Sequence, residues 1–517
     1  MTFEIVFVLL SLLGMVAALI ADKMRPGMIL FSVVVLFLCA GILTPKEMLE
    51  GFSNKGMITV ALLFLVSEGI RQSGTLGQVI KKLLPQGKTT VFKAQLRILP
   101  SVAFISAFLN NTPVVVIFAP IIKHWAKSVN LPATKFLIPL SYVTILGGIC
   151  TLIGTSTNLV VHGMILEAGF EGFSMFELGK VGIFIAIAGI IYIFLFSKRL
   201  LPDARPDTAV PDEEIEEGEK FHRVEAVLGA RFPGINKKLK DFNFQRHYGA
   251  EVKEIKTRNG QRFVSNLEEV VLHEGDTLVV MADDTFIPTW GESSVFVLLT
   301  NGNEPDTTGK KKRWFALLLL VLMIVGATVG ELPVTKEMFP DIKLDMFFFV
   351  SITTIIMAWT NLFPARKYTK YISWDILITI ACAFAISKAM VNSGVADAVA
   401  EYIIGLTDHY GPAVLLAVMF VITNLFTELI TNNAAAALAF PLALSISSQL
   451  GVSPTPFFVV ICMAASASFS TPIGYQTNLI VQGIGNYKFT DFVRIGLPLN
   501  IITFLISIFL IPLIWPF

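Results

Sequence analysis

The chain has 517 residues, of which 54% are hydrophobic and 15% charged, with a formal net charge of +1. A nearly neutral balance excludes an electrostatic nucleic-acid binder, and repeated apolar runs of roughly 20 residues exclude an ordinary soluble globule. The sequence reads as an all-α polytopic membrane protein with a small inserted α+β domain.

The first apolar run, Met1–Ile20, has no basic residue ahead of it and is expected to be a membrane span, not a cleaved signal. Further spans are expected near 27–43, 57–72, 135–166, 180–200, 313–330, 345–361, 374–392, 456–482 and 492–515. Two segments, 92–123 and 412–448, differ because each climbs to a polar tip and leaves it again. The first tip is Asn110-Asn111-Thr112-Pro113 and the second is Thr431-Asn432-Asn433. Pro113 favours an interrupted helix, so both segments are expected to be re-entrant hairpins. Cys39, Cys150, Cys382 and Cys462 lie singly in apolar runs and read as packing thiols.

Charge sets the expected orientation. Lys23, Arg25, Lys81, Lys82, Lys88, Lys93, Arg97, Lys198, Arg199, Lys310, Lys311, Lys312, Arg313, Arg366, Lys367 and Lys370 fall on one side if both hairpins re-enter where they start. Glu167, Glu171, Glu177, Asp397, Glu401 and Asp408 fall on the other. The basic side is expected to be the cytoplasm of a plasma (bacterial inner) membrane, with both termini outside.

The chain also repeats. Ser67–Gly74 pairs with Ser387–Gly394, and Gly154-Thr-Ser-Thr-Asn158 with Gly474-Tyr-Gln-Thr-Asn478. By span count the two copies thread the membrane in opposite senses. They divide the chain into a first membrane half (1–202), an insert (203–310) and a second half (311–517). The insert opens with an acidic linker, Pro211–Gly218. Strand patterns follow at 250–256, 269–272 and 277–281, with turns at 258–260 and 274–276.

Four polar breaks therefore recur within apolar sequence: the two hairpin tips, 154–158 and 474–478. Unpaired amides and hydroxyls there cost several kcal/mol unless something binds them. A break frees backbone carbonyls for a sodium ion and opens the amino end of a half-helix to an anion. No Arg, Lys or His lies in the four breaks, so dipoles, amide N–H groups and hydroxyls would hold the anion. Ser106 and Thr427 sit one helical turn below their tips, placed to add a hydroxyl to a cation shell. The two tips are expected to face each other at mid-membrane. Glu68 and Lys388 hold equivalent positions; a contact across the pseudo-two-fold axis and snorkelling at span ends are both open. Glu428, beside the second tip, is expected to hydrogen-bond hairpin backbone. No nucleophile–base pair, metal-ligand cluster or nucleotide-binding fingerprint stands out, so neither an enzyme nor an ATP-driven pump is expected.

With these motifs in place, the chain resembles the divalent anion/sodium symporter family of the ion transporter superfamily. That family's Ser-Asn-Thr hairpin motif is similar to Asn110-Asn111-Thr112 and Thr431-Asn432-Asn433, each followed by a proline (Pro120, Pro441). The resemblance implies an elevator-type homodimer with two sodium sites. Ser106, Asn110, Asn111 and Gly154 would form the first, and Thr427, Ile430 (by backbone), Asn432 and Gly474 the second. The anion would lie between the tips, on Asn110, Asn111, Thr112, Thr157, Thr431, Asn432, Asn433, Gln476 and Thr477. Dicarboxylate members carry Pro-Pro-Asn at the broken spans, where this chain has Ser156-Thr157-Asn158 and Gln476-Thr477-Asn478. These departures look like the sulfate-permease branch, whose members carry soluble inserts. Residues 226–239, 248–255 and 271–280 resemble the TrkA C-terminal (RCK-C) domain, a module that commonly dimerises and in some proteins binds a small nucleotide. The expected function is sodium-coupled symport of a divalent oxyanion, sulfate first. A dicarboxylate symporter, a proton-linked anion exchanger, and a channel or sensor gated by the soluble domain are the alternatives.

Overall fold

The fold is that of a computed structural model, which describes residues 3–21, 24–85, 87–203, 221–229, 232–257, 261–283, 286, 290, 295–300, 309–339, 341–407 and 411–517. Lys23, the linker 211–218, the turn 258–260 and Asp408 lie outside these residues.

The first half runs through α1 (Phe3–Ala21), α2 (Pro26–Cys39), α3 (Pro45–Glu50), α4 (Lys55–Gln72) and α5 (Thr75–Leu83). The hairpin arms α6 (Val91–Ser106) and α7 (Asn111–Ser128) follow, then α8 (Leu137–Gly148), α9 (Ser156–Glu167) and α10 (Gly179–Leu200). Among its described residues the insert holds α11 (Phe244–Tyr248) and five strands. The second half begins with α12 (Lys310–Gly330), α13 (Pro333–Met338), α14 (Met346–Trp359) and α15 (Tyr368–Tyr371). It continues through α16 (Trp374–Asn392), α17 (Val395–Thr407), α18 (Pro412–Leu429) and α19 (Asn432–Leu450) to α20 (Thr455–Ser466), α21 (Gln476–Gly485) and α22 (Phe489–Ile514). Eight helical segments among the described residues are long and apolar enough to cross a membrane, making this a multi-pass membrane protein.

Local chemistry sets the boundaries. Thr44 caps α3 in a reciprocal capping box with Glu47, and the Asn54 side chain accepts from the Gly56 amide to start α4. Gly74 (φ 69°) and Gly394 (φ 76°), equivalent in the repeat, supply the left-handed turn before α5 and α17. Pro113 falls in the first turn of α7, where its missing N–H costs nothing.

The helices form two groups. In the peripheral group α2 packs on α16 and, by the repeat, α14 packs on α4, with α12 against α14. In the inner group α6 packs on α8, α18 on α20, and α10 on α22. Both expected hairpins are present, and both expected broken spans are interrupted, at 149–155 and 467–475. The groups meet unevenly: α4 packs on α9 and α16 on α19, whereas α21 is not packed in this way on α16.

Glu68 does not reach Lys388. Its carboxylate pairs with Arg71 at 2.6 Å and accepts from Gln72 at 2.5 Å, both on its own helix. A neighbour three or four residues along a helix is always within reach, so it wins over a partner on another helix.

The insert is a five-stranded antiparallel sheet of β1 (Phe221–Leu228), β2 (Glu251–Lys256), β3 (Arg262–Phe263), β4 (Thr277–Asp283) and β5 (Phe296–Thr300), in the order β3-β2-β4-β1-β5. The strand expected at 269–272 does not form. Leu267–Glu269 is a 3-10 turn, and Val271 makes only an isolated bridge to Lys238. Phe232, Phe242, Phe244, Tyr248 and Phe296 give the sheet its own aromatic core.

Candidate functional site

At the first break, the Ser106 hydroxyl at the end of α6 donates to Asn111 Oδ1 at 2.7 Å. The Thr151 hydroxyl bonds the Ala107 carbonyl and also accepts from the Gly154 amide at 3.1 Å. Gly148 is where these groups converge: a Cβ there would lie 2.7 Å from Asn111 Oδ1 and 3.1 Å from the Gly154 carbonyl. Asn158 donates to the Thr151 carbonyl at 2.9 Å, leaving its own Oδ1 buried without a partner. Hydroxyl, amide and carbonyl oxygens with one oxygen unsatisfied make a donor set that fits a small hard cation.

The second break repeats this arrangement. The Thr471 hydroxyl bonds the Glu428 carbonyl at 3.0 Å and accepts from the Gly474 amide at 3.3 Å. Asn478 donates to the Thr471 carbonyl at 3.1 Å, as Asn158 does to Thr151. A Cβ on Gly474 would fall 2.5 Å from the Thr427 carbonyl and 1.9 Å from Ser468 Oγ, so only glycine fits. The Thr427 hydroxyl is spent on the Ala465 carbonyl at 2.7 Å.

Between these clusters the halves cross. Asn111 donates to the Tyr475 hydroxyl at 2.9 Å, and Thr112 donates to Gln476 Oε1 at 3.3 Å. Ser156 and Thr157 donate to Asn433 Oδ1 at 3.2 and 3.4 Å. The Tyr475 hydroxyl also meets Thr155 Oγ1 at 2.8 Å. Each hairpin tip thus bonds the broken span of the other half. The amino ends of four helices, α7, α9, α19 and α21, come together here. At Asn110, Thr155 and Tyr475 no side chain caps the first turn. Each helix end carries about half a positive charge, so the junction attracts an anion without a basic side chain.

Comparison with known proteins bears on what such a junction serves. A citrate transporter family model matches residues 16–448 and 342–516. The chain belongs to the citrate transporter family. It is 30% identical to an uncharacterised transporter of Synechocystis, over 93% of this chain and 92% of that one. It is 23% identical to the probable sodium/sulfate cotransporter 3 of Chlamydomonas reinhardtii, over 95% and 86%. A sodium-dependent dicarboxylate transporter of Staphylococcus saprophyticus is 25% identical over 29% of each chain. The likeness agrees with the divalent anion/sodium symporter resemblance of the hairpin motifs. The family is one of transporters, not enzymes.

Not every candidate residue of this citrate transporter family member joins the junction. The Thr477 hydroxyl accepts from Ser141 on α8 at 2.8 Å and faces away from the tips, unlike its repeat mate Thr157. Asn110 lines a cleft of about 10 Å³ with Ser67 and Ser156, beside α4 and α12, rather than the Gly148 cluster. Thr431 caps the Ala434 amide at 3.4 Å, and Ile430 is buried at the end of α18.

Sequence reasoning passed over three features. Tyr475 lies inside the 474–478 motif, but a tyrosine opposite a threonine in the repeat gives no sign of reaching across. Thr151 and Thr471 lie three residues before Gly154 and Gly474, and their matched spacing was the available signal. Glu428 does bond backbone, but that of the second break, not of its own hairpin. Its carboxylate accepts from the Ser470 amide at 2.8 Å and from Asn500 at 2.7 Å.

Proposed function

We propose that this protein is a sodium-coupled secondary active transporter of a divalent oxyanion, with sulfate as its substrate. The observation that carries the reading is the meeting of four helix amino ends, free of charged side chains, at one half-buried point flanked by two matching oxygen-lined clusters. A compact anion rich in acceptor oxygens suits converging amides and hydroxyls, and sodium ions on the flanking clusters offset its charge. Ser106, Asn111 and Gly154 with the Gly148 cradle hold the first ion; Asn432, Gly474 and the Thr427 and Glu428 carbonyls hold the second. The likeness to one probable sodium/sulfate cotransporter over most of both chains supports this choice, against a dicarboxylate transporter matched over 29%.

In this reading the inner group of helices carries the site past the peripheral group in an elevator motion. The protein works as a homodimer in the plasma membrane, with the insert, an RCK-C-like domain, on the cytoplasmic side. Uptake of labelled sulfate into proteoliposomes, with and without an inward sodium gradient, tests the proposal. Sodium-driven accumulation competed by thiosulfate but not by succinate or citrate is expected. Uptake that ignores sodium, or that only citrate or succinate blocks, refutes it.

A further inference from the structure

The insert is seated on the inner group. Its turn before β4 lies against α21: a Cβ on Gly483 would fall 2.7 Å from Thr277 Oγ1 and 3.2 Å from the Gly275 carbonyl. A Cβ on Gly275 would lie 3.4 and 3.8 Å from Leu479 Cδ2 and Cβ. Beside it, Glu225 of β1 pairs with Lys123 of α7 at 3.0 Å and with Lys256 of β2 at 3.4 Å. The turn is stiff. Gly275 donates to the Leu228 carbonyl at 2.9 Å, Leu228 to that of Asp276 at 2.8 Å, and the His273 amide to the buried Asp276 carboxylate at 2.7 Å.

The repeat shows what covers this surface in the other half. At the 320-residue offset of Thr155 and Tyr475, Leu479 and Gly483 of α21 match Leu159 and Gly163 of α9. There the peripheral group sits on them. A Cβ on Gly163 would lie 2.6 Å from Asn54 Oδ1 and 3.1 Å from Phe384, and a Cβ on Gly56 2.8 Å from the Leu159 carbonyl. On α21 the same face is covered by Gly275 and Thr277 of the insert, and α16 is not packed on it.

We infer that the insert is a wedge. It occupies on α21 the face that peripheral helices occupy on α9, so the inner group cannot take up the mirror-image packing until the turn lifts off. In that packing Ile376, the match of Gly56, comes against Leu479. Alternating access in an inverted repeat exchanges such packings, so the insert holds the carrier in one of its two states. This rests on the reading of the chain as an alternating-access carrier, but not on which solute it moves.

The test uses the full chain in proteoliposomes with Cys39, Cys150, Cys382 and Cys462 replaced. Gly275→Cys with Leu479→Cys, oxidised by an added mild two-electron oxidant such as diamide, reports docking, since the 3.8 Å Cβ separation suits a disulfide. If the positive φ at Gly275 defeats folding, Thr277→Cys with Gly483→Cys serves instead. Ile376→Cys with Leu479→Cys, joined by a short bifunctional thiol reagent, reports the mirror packing. Docking cross-links should form readily and mirror cross-links slowly. Lys123→Glu should weaken the first and speed the second by about tenfold, through repulsion of Glu225; Glu225→Gln is the second undocking variant. A mirror cross-link that never forms, or whose rate stays fixed while docking is lost, overturns the wedge, as does a failure of the docking pair to cross-link. Both readouts are geometric, so a carrier that rejects sulfate leaves this result standing.

Discussion

Thr155 and Tyr475 hold the same place in the two halves of the chain, 320 residues apart, and their hydroxyls meet at 2.8 Å. The phenol also accepts from Asn111, the first residue of the first hairpin's inner arm. One side chain therefore ties a hairpin tip to both broken spans, at the point where the helix amino ends converge.

Removing only that hydroxyl is the sharpest test of the junction. Tyr475→Phe should leave the fold intact while weakening anion and sodium binding by roughly tenfold, the worth of one or two neutral hydrogen bonds. Binding isotherms for sulfate and sodium on purified protein measure it. Unchanged isotherms would separate the junction from binding.

Each tip serves both the anion and a cation in the proposed function. Asn111→Ala and Asn432→Ala should each reduce sulfate and sodium binding together, with no loss of folded protein. Thermal unfolding in the absence of ligand checks folding, and equilibrium binding checks the rest. A variant that loses anion binding alone contradicts the shared role.

Gly148 offers a way to fill the first cation cluster. The methyl of Gly148→Ala would come 2.7 Å from Asn111 Oδ1. Sodium should then bind at least tenfold more weakly, because an apolar group displaces the ion from its oxygens. The sodium dependence of sulfate uptake reads this directly, and an unaltered dependence places the ion elsewhere.

The Glu225 contact makes a claim about pH. Burial pushes this carboxyl up, but Lys123 and Lys256 outweigh burial and hold it down at about 2. A carboxyl lowered on docking contributes its full stabilisation above the ordinary carboxylate range and loses it only as pH falls through that depressed value. Because thiol oxidation itself slows as pH falls, the Gly275→Cys/Leu479→Cys cross-link is normalised at each pH to a cysteine pair fixed within the insert's own sheet, and the normalised yield should be the same at pH 8 and pH 5. A normalised yield that falls in that interval would show that this ion pair does not set docking.

Removing residues 215–300 and closing the gap with a short flexible linker should leave sulfate binding in place, since every junction residue lies outside that segment. Equilibrium binding on the shortened, folded protein is the check. A folded deletion that binds no anion would give the insert a direct part in the site.

Periodicity and spacing carried much of the architecture. Apolar run length gave the spans, because a bilayer core needs a helix of roughly 20 residues. The paired Gly154 and Gly474 motifs gave the repeat, because a break must place the same small residue where two backbones touch. Asn111 and Asn432 were legible because amides are costly in apolar sequence and need a reason to be there. What each side chain touches across the halves was not legible. Glu68 chose Arg71 over Lys388 since only the fold sets the distance between helices. Thr477 turned to Ser141 although its mate Thr157 turned to Asn433, because the halves are alike in sequence but not in what packs on them. The tertiary structure alone put Tyr475 against Asn111 and the insert on α21. Both are contacts between segments far apart in the chain, and nothing local in the residues encodes which distant surface will be nearest.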